Sequence, residues 1–302
     1  MKIWIDTDIG DDIDDALALL LAMASPELEI AGVSTVFGAV DKRAQIAKAL
    51  LAMGGYEHVP VYAGCVKPVK QRAVFYEKVD GARVPKTYLP EVFSRYAYAH
   101  GAVEALRDAL LASDDGLTVV TIGALTNIAR LLGKYPQAAK KIKRLHIMGT
   151  AVGLNLNEFN ITCDPEAAAV VLNSAIQKKV VGLDVTFQCT LSDAQRERLF
   201  ACSSECVKTV MEMSRRWSHG MVLHDPLALA SAFTQEFLTF VPGNLFVCRK
   251  GKYARGKCVD LTDFNWRVPP REDLSTASKV DAKKFTDFYV ERICAFDRKI
   301  RG

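Results

Sequence analysis

Asp6-Thr7-Asp8-Ile9-Gly10-Asp11-Asp12-Ile13-Asp14-Asp15 puts six aspartates into ten residues, directly after the apolar start Met1-Lys2-Ile3-Trp4-Ile5. Ile3, Trp4 and Ile5 read as a short buried strand, and residues 16–23, nearly all alanine and leucine, as a buried helix. The acidic run is then a strand-to-helix turn at the carboxyl end of a strand, where open α/β sheets bind their ligands. Two carboxylates about 4 Å apart repel by about 4 kcal/mol at an effective dielectric near 20. Helix capping and the helix dipole account for Asp14 and Asp15, but not for all six. The rest need solvent, protons or a cation, and an oxygen-only donor set suits Ca²⁺ or Mg²⁺.

Working outward, strand-like and helix-like segments alternate. A strand is expected at 29–36, an amphipathic helix at 42–53 and a short strand at 59–63. Residues 64–90, rich in Gly, Pro and charge, read as a long loop of the kind that serves as a functional lid. A helix follows at 98–112. The strand at 117–122 is apolar on both faces, as a central parallel strand is. Gly123 to Asn127 turns into a helix at 128–132, with Thr126 placed as its N-cap. Further strands are expected at 145–148 and 179–185, and a helix at 167–173 opened by Asp164-Pro165-Glu166. One long helical region spans 192–217, and His224-Asp225-Pro226 introduces another at 227–233. Late strands, with antiparallel pairing among them, fall at 237–241, 245–249 and 257–261, and an amphipathic helix closes the chain at 281–298. The pattern predicts an α/β fold, a mostly parallel central sheet with helices on both faces. No linker, repeat or low-complexity stretch divides it, so residues 1–302 are expected to form a single domain.

The chain of 302 residues is half hydrophobic and a quarter charged, ordinary globular usage. A net charge of +4 gives no argument for nucleic acid, and the basic stretch 134–144 fits a solvated helix C-terminus. No apolar run is long enough to cross a bilayer. The eight cysteines form no CxxC pair and no zinc spacing, and with no signal peptide they read as reduced thiols of a cytoplasmic protein.

Polar clusters stand at four predicted strand ends: 6–15, Thr126-Asn127, 155–160 and His224-Asp225. In a parallel sheet these ends share one rim, so distant clusters can build one pocket. Alone, His224 reads as a satisfied histidine and Thr126 as a cap. Asn155, Asn157, Glu158 and Asn160 together offer the donors and acceptors that a polyhydroxyl ligand needs.

Four segments carry a resemblance: Asp6-Thr7-Asp8 with Asp14-Asp15-Ala16; Gly123-Ala124-Leu125-Thr126-Asn127-Ile128-Ala129; Glu158-Phe159-Asn160 with Asp164-Pro165-Glu166-Ala167-Ala168; and His224-Asp225-Pro226-Leu227-Ala228. In this order they are similar to the four signatures of the inosine–uridine-type nucleoside hydrolases, and with Ala63-Gly64-Cys65 and Pro68 the likeness covers essentially the whole chain. The resemblance implies a calcium-dependent hydrolase that cleaves a ribonucleoside to free base and ribose, serving nucleoside catabolism and base salvage as a homodimer or homotetramer. It implies that Asp8, Asp15, the Thr126 carbonyl and Asp225 hold Ca²⁺ together with a water and the ribose 2′- and 3′-hydroxyls. Asp8 would take a proton from that water. Asp14 and Asn160 would hold the secondary hydroxyls, Glu158 and Asn155 the 5′-hydroxyl, and His224 would stand near the base as candidate general acid. Asp6 would support the site from behind. The base would meet residues from 64–90 and from 215–222, where Trp217 and His219 lie.

The chain departs from the family pattern in three places. Its turn 9–13 is longer and carries the extra carboxylates Asp11 and Asp12. Ala39 follows Gly38 where many members have Asn, and Asp80-Gly81 stands where many have His-Gly. The last two bear on substrate contacts and point toward a modified base or another ribosyl leaving group. Two rival readings stay open. An apolar strand ending in Asp-x-Asp also opens the motif of haloacid-dehalogenase-type phosphohydrolases, with Asp6 as nucleophile and Mg²⁺ as ion. That motif wants Thr or Val where Gly10 stands, and it leaves His224-Asp225 without a role. The other rival is a non-catalytic or regulatory ribosyl-binding protein on the same fold.

Overall fold

Ile3 and Ile5 are buried against one apolar cluster and Trp4 against another, because their strand is covered on both faces and successive side chains alternate. The computed structural model describes residues 1–70, 82–263 and 268–301. In chain order, β1 (Lys2–Thr7) leads through the acidic turn to α1 (Asp14–Met23), β2 (Glu29–Thr35) to α2 (Val40–Met53), and β3 (Val61–Ala63) precedes the single turn α3 (Pro90–Phe93). Then come β4 (Ala99–His100), α4 (Ala102–Ala112), β5 (Leu117–Thr121), α5 (Thr126–Lys134) and α6 (Pro136–Ala139). They are followed by β6 (Ile142–Met148), α7 (Phe159–Cys163), α8 (Pro165–Asn173), β7 (Lys178–Val181) and α9 (Leu183–Thr186). The last third holds α10 (Asp193–Phe200), α11 (Glu205–Arg215), α12 (His224–Phe233), β8 (Leu238–Pro242), β9 (Leu245–Val247), β10 (Cys258–Asp260), β11 (Leu274–Val280) and α13 (Ala282–Arg301).

Among the described residues, one nine-stranded sheet has the order β4-β3-β2-β1-β5-β6-β7-β11-β8, parallel throughout except for the β11–β8 edge. Antiparallel β9 and β10 form a separate ribbon. The chain runs outward from β1 to β4, then returns to β5 on the other side of β1. The order therefore reverses between β1 and β5, and their carboxyl ends open a crevice at the topological switch point. Helices α1, α2, α11, α12 and α13 contribute to one apolar cluster, and α4, α5 and α8 to the other. The mostly parallel sheet with helices on both faces is as the alternation predicts. No helix among the described residues is long and apolar enough to cross a membrane.

Several boundaries differ from the sequence reading. The expected helix at 98–112 starts only at Ala102, because Gly101 turns left-handed at φ 81° and the residues before it pair with β3. Thr126 is the first residue of α5 rather than a side-chain cap, and its hydroxyl donates to Asp164 Oδ2 at 2.7 Å. The strand expected at 179–185 ends at Val181 and turns into α9. The helical region 192–217 is two helices, each with its own serine cap, Ser192 and Ser204. Strand β11 escaped the reading because its sequence, LSTASKV, has no apolar run. Asp80 and Gly81 lie outside the described residues. All eight cysteines are free.

His146 ties β6 to α12: its Nδ1 lies 2.7 Å from Ser231 Oγ in the interior. Burial, then Lys179 and Arg144, push the imidazole down to about 3. An unfolded chain takes up that proton near pH 6.5. Between about 6.5 and about 3 the unfolded state therefore binds a proton that the native state refuses, and stability falls as pH falls. The urea midpoint is expected to drop from pH 7 to pH 4, and to drop less in His146→Gln; an equal drop in both would remove His146 as the cause.

Candidate functional site

The acidic turn after β1 holds its shape through a buried cation. Arg43, on α2, is 2% exposed. Its Nε donates to Phe37 O at 2.9 Å, its Nη1 to the carbonyls of Asp8 and Ile9, and its Nη2 to Asp11 Oδ2 at 2.8 Å. Gly10, at φ 121°, passes so close to its neighbours that a Cβ would lie 2.7 Å from Ile46 Cδ1 and 2.9 Å from Pro85 Cβ. The Gly10 carbonyl accepts from both Thr87 N (2.8 Å) and Thr87 Oγ1 (2.7 Å), which fastens residues 82–88 to the turn.

Asp14 and Asp15 lie in the first turn of α1, and Asp225 in the first turn of α12, two helices packed side by side. Their helix dipoles favour negative charge there. One carboxylate oxygen from each of the three lies within 4.8 Å of the other two, and all three side chains are buried. The Thr7 hydroxyl donates to Asp15 Oδ1. Asp8 sits beside Gly123, where a Cβ would come 2.8 Å from Asp8 N and 3.0 Å from Asp8 Oδ1. Behind it, Asp6 Oδ1 accepts from Ser34 Oγ and from Asn127 Nδ2 at 2.7 Å, while Oδ2 is buried with no hydrogen-bond partner among the described residues.

Glu158 caps α7, accepting from Asn160 N (2.7 Å), Ile161 N (2.8 Å) and Thr150 N (3.3 Å). The Asn160 amide donates to Ile122 O at 3.2 Å, which turns this residue toward the end of β5. His224 Nδ1 lies 2.7 Å from Thr186 Oγ1, and the ring meets Phe187 edge-on, with centroids 5.2 Å apart. These groups open onto one cavity of about 280 Å³. Its lining includes Asp8, Asp11, Asp12, Asp14, Asp15 and Asp225, with Glu158, Asn160 and His224. Leu183, Phe187, Trp217, Arg83 and Lys86 also line it, as do Ile122, Met148 and Phe159.

Burial dominates the electrostatics. It lifts Asp6 and Asp8 each to about 7, Asp8 against the pull of Arg43 and with the push of Asp11 and Asp12. Burial and then the neighbouring aspartates hold Asp14 and Asp225 well above the usual carboxylate range; burial and then Asp8 do the same to Asp15. Glu158 rises to about 7 for the same reason, despite three backbone donors. Burial lowers His224 to about 4, so its imidazole is neutral at pH 7. Three buried carboxylates in one ligand sphere cannot all ionise without a counter-charge, and their hard oxygens fit a divalent cation such as Ca²⁺ or Mg²⁺.

Asp8, Asp14, Asp15, Glu158, Asn160, His224 and Asp225 are thus brought together. Asn155 is not: it is exposed on the loop before α7 and lies outside the cavity lining. Thr126 is buried and also outside the lining. Trp217, Arg83 and Lys86 come from the two segments expected to face the base. Sequence reasoning missed Arg43, whose signal was an arginine among Val40, Ala44, Ala47 and Leu51 on the apolar side of α2.

The model of the family described as inosine-uridine preferring nucleoside hydrolase matches residues 3–287. The pyrimidine-specific ribonucleoside hydrolase of Enterobacter sp. (strain 638) is 32% identical, over 98% of this chain and 98% of that protein. Its counterpart in Salmonella schwarzengrund (strain CVM19633) is 33% identical, over 97% of this chain and 98% of the relative. Among solved structures, a purine-preferring ribonucleoside hydrolase from Gardnerella vaginalis aligns at TM-score 0.83 and 26% identity over 99% of both chains. A plant nucleoside hydrolase aligns at TM-score 0.83 and 25% identity, over 97% of this chain and 99% of that one.

Carboxyl groups that hold protons for want of a cation must release them when one binds. Calcium added at pH 6.5 to chelator-treated, weakly buffered protein is expected to acidify the solution and raise the thermal midpoint. No proton release and no shift would contradict the reading of the acidic cluster as a cation site.

Proposed function

The chain belongs to the inosine–uridine preferring nucleoside hydrolase family, and on that premise we propose that it hydrolyses the N-glycosidic bond of ribonucleosides to free base and ribose. We place the reaction in this cavity, with Ca²⁺ as the ion. The observation that carries the reading is the convergence of Asp14, Asp15 and Asp225, from opposite ends of the sequence, beside Asp8, Glu158 and Asn160. The names of the relatives divide between pyrimidine- and purine-directed enzymes, so the reaction is what they share.

Asp8, Asp15, the Thr126 carbonyl and Asp225 would hold the ion. Bound there, it supplies a Lewis acid that orients the ribose diol and lowers the pKa of the attacking water. Asp14 and Asn160 grip the secondary hydroxyls and Glu158 the 5′-hydroxyl, which fixes the ring over the acidic floor. As the C1′–N bond breaks, positive charge builds on the ribose ring, and the carboxylates beneath favour that transition state over the substrate. Asp8 takes the proton from the water as its oxygen bonds to C1′. His224, beside Phe187 and Thr186 at the cavity wall, stands where the base departs. Neutral at pH 7 in the free protein, His224 acts as general acid only by taking up a proton once substrate is bound, and such help is worth roughly 10²- to 10⁴-fold at most, less than the grip on sugar and ion. Asp6 anchors the turn from behind through Ser34 and Asn127. We further propose that residues 1–302 act as one catalytic domain, in the cytoplasm, in a homodimer or homotetramer.

Free ribose measured from a panel of nucleosides, with and without a chelator, tests the reading. Ribose release that the chelator abolishes and calcium restores is the expected result. Calcium-dependent stabilisation by ribose without any turnover would indicate a binding protein instead. Asp8→Ala is expected to abolish turnover while the protein stays folded. His224→Ala should cost more with poor leaving bases than with good ones, and equal losses would remove its acid role.

A further inference from the structure

Thr186 is fully buried and lies outside the cavity lining. Its hydroxyl stands 2.7 Å from His224 Nδ1 and makes no other hydrogen bond among the described residues. Main chain holds this contact from both sides. Thr186 ends α9, the turn after β7, and its N–H donates to Gly182 O at 3.2 Å. Asp184, in the same turn, accepts from Val152 N at 3.0 Å and from Gly153 N at 2.6 Å, which fastens α9 to the loop after β6. Beyond α9 the chain pairs antiparallel with the segment that leads into α12. Leu191 N donates to Met221 O at 3.0 Å, and Leu223 N to Cys189 O at 2.9 Å. His224 opens α12 directly after that pairing, so backbone bonds set the distance between hydroxyl and imidazole. Phe187 meets the ring edge-on.

A neutral imidazole carries hydrogen on one nitrogen only, and the partner of the other nitrogen decides which. With hydrogen on Nδ1, that N–H would donate to Thr186 Oγ1. The hydroxyl hydrogen would then be buried with no acceptor among the described residues, an arrangement that carries the full cost of its desolvation. With hydrogen on Nε2, the hydroxyl donates to bare Nδ1 and the pair is satisfied. Nε2 itself makes no hydrogen bond among the described residues and is not sealed in, since the ring lines the cavity. We propose that Thr186 is a positioning residue for the leaving-group step: its hydroxyl donates to His224 Nδ1, fixes the tautomer with hydrogen on Nε2, and so aims an N–H donor at an acceptor atom of the departing base. The proposal rests on the hydrolase reading given above and deepens it. A hydroxyl both donates and accepts, so the contact also serves when Nδ1 gains a proton: the hydroxyl turns to accept from Nδ1–H, and Nε2–H stays on the base. As the C1′–N bond breaks, its electron pair goes to the base, where the Nε2–H bond stabilises the growing charge. From the doubly protonated ring the Nε2 proton passes to the base and leaves a neutral imidazole with hydrogen on Nδ1. Water gives its hydroxyl to C1′ and its proton to Asp8.

The nitrophenolate of para-nitrophenyl β-D-riboside leaves with little help, whereas the bases of uridine and inosine need it. Values of kcat/KM for all three would be measured on calcium-supplied wild type, Thr186→Val, Thr186→Ser, His224→Ala and the Thr186→Val/His224→Ala double variant. Thr186→Val is expected to cost about tenfold or more on the nucleosides, the scale of one hydrogen bond, and little on the nitrophenyl riboside. Thr186→Ser, which keeps the hydroxyl, should recover most of that loss. In the His224→Ala background Thr186→Val should cost nothing further, because the two residues act as one unit. A purely structural role would lower all three substrates together and persist without His224. Nitrogen NMR of isotope-labelled histidine reads the tautomer without turnover, and is expected to find hydrogen on Nε2 and a bare, hydrogen-bonded Nδ1 in the wild type. Hydrogen on Nδ1, equal losses on good and poor leaving groups, an unaffected Thr186→Val, or additive losses in the double variant would overturn the proposal and leave the hydrolase reading standing. No ribose from any of the three substrates would overturn both.

Discussion

Repulsion among buried carboxylates is the constraint to which the rest of this molecule answers. Asp14, Asp15 and Asp225 present oxygens within 4.8 Å of one another, with Asp8 beside them, and burial denies them the water that would screen their charge. A fold can hold such a cluster only if its backbone is fixed by other means and if a counter-charge is within reach. Here the backbone is fixed by position. The turn after β1 lies at the switch point of the parallel sheet, and Asp225 arrives on α12, which packs along α1. Two helix N-termini then point positive ends at the same few oxygens. Arg43 adds a full cation, though its bonds run to the turn's carbonyls and to Asp11 rather than to the three clustered carboxylates.

Two zones with opposite chemistry follow. The floor is acidic and buried, burial raises its proton affinity, and three of its carboxylates stand close enough together that they could hold a metal ion. The less buried part of the lining is aromatic and cationic, with Trp217, Phe187, Lys86 and Arg83. Asp11 joins the zones, since the carboxylate that bonds Arg43 beneath the turn also orients Arg83 above it. A ligand with a diol at one end and a planar ring at the other matches that gradient, as a ribonucleoside does.

Much of this was legible in the residues. Ile3 to Ile5 followed by six aspartates identified the first strand, its turn and an acidic cluster that could hold a metal ion, because alternation and charge density are local signals. The apolar strand at 117–122 and the motifs at 158–160 and 224–225 placed the other walls, because strand ends in a parallel sheet share a rim. What stayed hidden depends on contacts remote in sequence. Arg43 was hidden because its partners are backbone carbonyls of another segment. Strand β11 has too few apolar residues to announce itself and owes its place to β7 and β8. Thr126 looked like a cap, yet its hydroxyl bonds Asp164, a preference decided by the packing of α5 against α8. Asn155 shared a motif with Glu158 and Asn160 but faces outward, since a loop has no periodicity to fix which way a side chain points.

Calorimetric titration with calcium tests the central claim most directly, in the wild type and in Asp15→Asn and Asp225→Asn. One ion per chain is the prediction for the wild type, with affinity lost in both variants although each remains folded. Undiminished binding in either variant, or none in the wild type, would contradict it.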